Sequence, residues 1–203
     1  MEHIVFNTIT HPREVRLKIK RSDFICRLAH VETIEEAKTF ISGISKENKT
    51  ANHNCWAYIV GGKGEISHCS DAGEPAGTAG KPMLNMLQSH DMTQVAAVVT
   101  RFFGGVKLGV RGLIEAYGDT VRQTIETAPL HRLIATRQLF IQVPYPFNDT
   151  LLHKLSQFKG RVVDTQYAEQ ISHSYIVEDP DISGAVALLE SLASAGKLVL
   201  KSS

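Results

Sequence analysis

Apolar and charged residues alternate over 14–20, where Val15, Leu17 and Ile19 oppose Arg16, Lys18 and Lys20, and an extended pattern resumes over 24–31. Period-two alternation marks a strand covered on one face, so the chain opens with two strands. In TIEEAKTFISGISKEN the period changes. Ile34, Ala37, Ile41 and Ile44 recur at helical spacing behind Thr33, which stands three residues before Glu36 as in a capping box. Residues 53–61 and 65–69 return to strand character, and QVAAVVTRFF, almost without polar interruption, predicts a strand buried on both faces. Pro82 suits a first helical turn, so KPMLNMLQSHD predicts a helix, and another is expected over 113–127.

Beyond Ala128 the texture changes. PLHRL reads as a linker, which places one domain over 1–130 and a second over 137–203. The second half runs as strand 137–143, a helix capped by Asn148 or Asp149, strands 161–167 and 170–177, a helix from Asp181, and strand 197–201. That βαββαβ order is ferredoxin-like, and the fold class is α+β.

Composition fits a globular chain: 203 residues, 43% hydrophobic and 21% charged, suffice for one large core or two small ones. Lys plus Arg at 22 against Asp plus Glu at 21 gives no general attraction to nucleic acid or membrane, so any polyanion site must be local. The cysteines, Cys26, Cys55 and Cys69, are odd in number and form no C-x-x-C pair. That argues for a reducing compartment, the cytoplasm. The N-terminal residues contain no apolar signal core, and no later run reaches the ~18 apolar residues of a spanning helix.

Candidate chemistry concentrates in two glycine loops. SDAGEPAGTAGKP, residues 70–82, offers the backbones of Gly73, Gly77, Thr78 and Gly80 beside Lys81, immediately before a helix. FFGGVKLGVRG, within residues 102–112, repeats the plan: Gly104, Gly105, Gly109 and Gly112 lie among Arg101, Lys107 and Arg111. Glycine-exposed N–H groups ahead of a helix N-terminus form an anion site, with phosphate the obvious guest. The first loop is no Walker motif, because Pro75 takes the place of the first glycine and Pro82 that of the magnesium-binding Ser or Thr. No G-x-G-x-x-G supports a dinucleotide fold. A packing role remains open for both loops, with glycine supplying positive φ and Ser70, Asp71 and Glu74 ordering the first turn; the same three are the candidates for catalysis.

Other constellations are weaker. His53, Cys55, His68 and Cys69 lack the tight spacing of a metal site, and packing is the better account of them. A triad of Ser70 or Cys69 with His68 or His53 and Asp71 fails, since adjacent strand residues face opposite ways and no nucleophile elbow is present. Trp56 and Tyr58 share one strand face, where core packing is the default.

Three segments, NHNCWAY, SDAGEPAGTAGKPML and VVTRFFGGVKLGVRGLIEAYG, in that order and spacing, resemble the YigZ/IMPACT family of translation-linked proteins. The resemblance covers nearly the whole chain and is strongest over 16–118. It implies an N-terminal α/β domain like the second domain of a small-subunit ribosomal protein and domain IV of elongation factor G. It further implies a C-terminal domain like that factor's domain V. Eukaryotic relatives act in the amino-acid-starvation stress response by competing for an activator of a translation-initiation kinase. This chain departs from the usual pattern at Ala72, where a second Asp is common, and at Val110 and Arg111, where a small residue and Gly are usual. The resulting expectation is a regulator of translation that binds RNA, the ribosome or a translation factor, with no cofactor, no metal and no membrane partner. An enzyme acting on a small phosphorylated or peptide substrate at residues 70–82 is the alternative, and a protein-binding adaptor the third reading. Oligomeric state stays undefined.

Overall fold

The computed structural model describes residues 6–201, so the first five residues of the N-terminal stretch lie outside the described residues. The chain divides into two compact units, 6–133 and 134–201 among the described residues.

The first unit is built on a five-stranded antiparallel sheet. Its strands are β2 (Arg13–Ile19), β3 (Ser22–His30), β4 (His53–Val60), β5 (Ile66–Ser70) and β6 (Val95–Phe102), in the order β2-β3-β6-β4-β5. β6 lies in the middle and is buried along almost its whole length, as its unbroken apolar run requires. Alternate residues of β4 supply opposite cores. Cys55, Ala57 and Ile59 join Phe24, Leu28, Val99 and the helices α2 (Gly80–Ser89) and α3 (Gly109–Glu126), whereas Tyr58 and Val60 meet α1 (Ile34–Glu47). Trp56 stacks on Tyr58, centroids 5.7 Å apart, on that second face. Each side chain as fully buried as Leu28 or Met83 contributes ~1.5–3 kcal/mol.

Capping of α1 follows the sequence with one change. Thr33 accepts from the Glu36 N–H at 3.2 Å, while the Glu36 carboxylate reaches past Thr33 to the N–H of Glu32 at 2.7 Å. A short ladder, β1 (Phe6–Ile9) with β7 (Leu130–Leu133), corrects the linker reading of PLHRL. Four residues with three exposed show no alternation, and their backbone is ordered by pairing with the far end of the same unit.

The second unit carries β8 (Thr136–Val143), α4 (Asn148–Leu155), β9 (Gly160–Tyr167), β10 (Ile171–Glu178), α5 (Ile182–Ser194) and β11 (Val199–Lys201). The sheet is antiparallel in the order β11-β8-β10-β9, which is the ferredoxin-like arrangement. α4 has no side-chain cap, contrary to expectation: a 3₁₀ turn at Tyr145–Phe147 feeds it, and Asn148 Oδ1 instead meets His173 Nε2 at 2.7 Å. The two units together make a two-domain α+β protein.

Candidate functional site

The site lies in the first unit, where β5 hands over to α2 and β6 to α3. Ala72 and Gly73 both take positive φ just after β5, turning the chain so that the Asp71 carboxylate faces the start of α2. Asp71 accepts hydrogen bonds from the N–H groups of Gly77 at 2.8 Å, Ala79 at 2.9 Å and Gly80 at 2.8 Å. Burial by itself raises the Asp71 pKa, but these three bonds outweigh it and hold the group below the ordinary aspartate value. Two of the amides that the sequence offered to a phosphate, those of Gly77 and Gly80, are therefore taken by the chain's own carboxylate, and the Thr78 N–H goes to the Pro75 carbonyl. Thr78 is likewise turned inward, its hydroxyl donating to the Pro75 carbonyl at 2.7 Å. Gly80 packs so closely on Ser70 that an added Cβ would stand 2.7 Å from that backbone. Ser70 Oγ accepts from the Ala72 N–H, and Lys81 is exposed outside this arrangement.

Glu74 goes elsewhere. Its side chain is 3% exposed and its Oε1 accepts from Arg101 Nη1 at 2.6 Å and from the Tyr117 hydroxyl at 2.8 Å. The Arg101 guanidinium sits between the rings of Phe24 and Phe103, 5.3 and 5.4 Å from their centroids, and its Nε is buried with no hydrogen-bond partner among the described residues. Arg101 is thus the wall of an internal ion pair rather than part of a solvated basic loop. His53 joins it: a carbonyl can only accept, so Nδ1 donates to the Ala72 oxygen at 3.0 Å and Nε2 is left 3.8 Å from Glu74 Oε2. Cys55 packs beneath, its thiol donating to the Asp71 carbonyl at 2.9 Å. Burial pushes that thiol up to about 12 against the opposing hydrogen bond of Tyr117, and burial also raises the Tyr117 hydroxyl. Neither group is a nucleophile at neutral pH. Among the described residues no cluster of three or more His, Cys, Asp or Glu side chains could hold a metal.

The second loop is arranged differently. Gly104 lies against the β2–β3 turn, where an added Cβ would come 1.9 Å from the Arg21 carbonyl, so that turn brings the exposed residues Lys20 and Arg21 to the loop. Phe103 N–H donates to Asn52 Oδ1 and Gly104 N–H to Ser22 Oγ. Gly105 and Gly109 have positive φ with open space around them, and Gly112 packs on Leu108 inside the first turn of α3. That turn has no side-chain cap and no acidic residue. Lys107 is exposed, and Arg111, its side chain 93% exposed, pairs with Glu115 at 2.8 Å.

Between the loops is a cavity of about 350 Å³. His53, Glu74, Arg101 and Lys107 line it together with apolar Phe103, Val110 and Leu113. Sequence reasoning placed both loops but missed Tyr117, which at helical spacing from Leu113 reads only as core, and Phe103, whose place over Arg101 depends on the tertiary fold. Lys20 and Arg21 signal themselves only as a two-residue turn between strands.

A family model described as the Impact N-terminal domain matches residues 20–125. The IMPACT family member YvyE of Bacillus subtilis (strain 168) is 35% identical over 181 residues, 89% of this chain and 83% of that protein. The IMPACT family member YigZ of Escherichia coli (strain K12) is 36% identical over 158 residues, 77% of this chain and 78% of that protein. Protein IMPACT of Xenopus laevis matches a shorter region, 38% identical over 95 residues, 44% of this chain and 30% of its own length. A crystal structure described as that of a hypothetical protein superposes with a TM-score of 0.63 at 31% identity, covering 98% of this chain and 97% of the other.

Proposed function

The chain belongs to the IMPACT family, and from that premise we propose that it is a cytoplasmic regulator of translation that binds RNA, on the ribosome or beside a translation factor, through its second glycine loop. One observation carries this reading: Lys107 and Arg111 are exposed at an α3 first turn that has no side-chain cap, and Gly104 of the same loop abuts the turn that bears the exposed Lys20 and Arg21. A helix N-terminus with free N–H groups and neighbouring cations favours phosphate, and a nearly neutral chain needs such a focused patch to hold a polyanion. The first loop is given no part in holding the ligand, since its N–H groups at Gly77, Ala79 and Gly80 already donate to Asp71. No helix among the described residues is long and apolar enough to cross a membrane.

The reading is tested by titrating poly(U) affinity against salt for wild type and the Lys107→Ala/Arg111→Ala double variant. The logarithmic slope is expected to fall by about 1.4–1.8, at ~0.7–0.9 per lost phosphate contact. Equal slopes and affinities would remove the RNA reading and advance a protein-binding adaptor, which a pull-down insensitive to nuclease would support.

A further inference from the structure

Apolar side chains scattered singly over a surface need no explanation, but two exposed ones, Phe103 at 43% and Val110 at 61%, line the same groove between the loops, together with Pro75, Leu108 and Leu113. Phe103 is also braced from behind. Its N–H donates to Asn52 Oδ1 at 2.8 Å, and the buried Arg101 guanidinium, itself fixed by Glu74, lies 5.4 Å from its ring centroid. The ring is thus held on one side and open on the rest. A flat π-surface fixed in this way is what a nucleobase stacks on, because every base presents such a face. At about 350 Å³ the groove stands at the small end of the ~300–1,000 Å³ of ligand clefts, room for one planar ring system. Lys107 lines it as well, which sets a phosphate-binding cation beside the place for a base.

We propose that the RNA met by the second loop is single-stranded, with one unpaired base stacked on the Phe103 ring in this groove and a neighbouring phosphate at Lys107. The inference rests on the RNA reading and narrows it: within a duplex every base stays paired and stacked on its neighbours, out of reach of the ring. Charge alone predicts the reverse, since a duplex carries the denser array of phosphates.

The experiment titrates the full chain with a short oligouridylate carrying one 2-aminopurine, whose fluorescence is quenched on stacking, and with a blunt RNA duplex of the same length. The single strand is expected to bind roughly tenfold more tightly than the duplex or better, and its 2-aminopurine to be quenched at saturation. Phe103→Leu keeps apolar bulk and removes the ring. It is expected to weaken the single strand about 5- to 150-fold, the worth of one base–aromatic stack, and to abolish the quenching, while the salt slope stays as in wild type because no charge is lost. Phe103→Trp, which keeps a ring, is expected to retain both affinity and quenching. Unquenched 2-aminopurine in the wild-type complex would overturn the stack without recourse to any variant. Indifference to Phe103→Leu, or duplex binding as tight as that of the single strand, would overturn it too, and in each case a persisting salt slope leaves the RNA reading standing. Absence of salt-dependent binding of either RNA by wild type would remove the RNA reading, and the stack with it.

Discussion

In the first glycine loop three backbone N–H groups converge on the Asp71 carboxylate, while the first turn of α3, just past the second loop, has no side chain capping it and no acid within it. Both loops are glycine-rich, both follow a strand and both launch a helix. Asp71, near the start of the first loop, makes the difference: it supplies internally what a phosphate would supply from outside. The first loop is consequently tied to β6 and α3 through the bonds of Glu74 to Arg101 and Tyr117, whereas in the second the N–H groups of Phe103 and Gly104 go to Asn52 and Ser22 and the α3 turn beyond them has no side-chain cap. A glycine-rich loop ahead of a helix therefore signals a binding site only when no side chain of the same loop already answers its amides.

The comparison is broken most severely at Glu74. Glu74→Ala removes the carboxylate shared by Arg101 and Tyr117 and leaves a buried guanidinium without a counter-charge, so a loss of ~3–5 kcal/mol in urea unfolding is expected. If the variant unfolds like wild type, the first loop is not pinned through this pair.

Asp71→Asn strikes the loop's internal cap. The amide side chain keeps one acceptor oxygen but loses the charge shared by three N–H donors, and the cost is about 2 kcal/mol because the carboxylate is only partly buried. The pH dependence has a definite sign. The folded-state pKa of Asp71 is depressed, so its stabilisation is full above the unfolded aspartate value of about 3.9 and is lost as pH falls through the lower folded value. The gap between variant and wild type should therefore be constant from neutral pH down to about 5 and close in stronger acid. A gap that persists unchanged there would mean that Asp71 acts by packing rather than by charge.

Much of this was legible in the sequence because hydrophobic period reports burial directly. The alternation of Val15, Leu17 and Ile19 and the unbroken apolar run of β6 placed the sheet, and the ferredoxin-like order of the second unit followed from its elements. The failures share a cause. β1 and β7 are four residues each and gain their order from one another across the unit, and Asn148, at the start of α4, looks like a cap but serves His173 on β10. In the site, Arg101 looked like one of three loop cations. Its position on a central strand, 27 residues from Glu74 and flanked by two aromatic rings, turns it inward. Side-chain partners that far apart in sequence leave no local pattern.

The smallest expected effect sharpens the comparison most. Arg111 stands in the first turn of α3, where a positive charge opposes the helix dipole, and its pair with Glu115 runs in the weaker orientation, cation before anion at i,i+4. With its side chain 93% exposed it packs on nothing that Ala would lose. Arg111→Ala is therefore expected to leave the urea midpoint unchanged or slightly raised, while it weakens poly(U) binding and lowers the salt slope by about one contact's share, ~0.7–0.9. On the proposed RNA reading, a charge held against the stability of its own helix serves a partner, whereas Asp71, Glu74 and Arg101 serve the fold. A clear drop in the Arg111→Ala midpoint would erase that distinction and give the second loop a role in the fold as well.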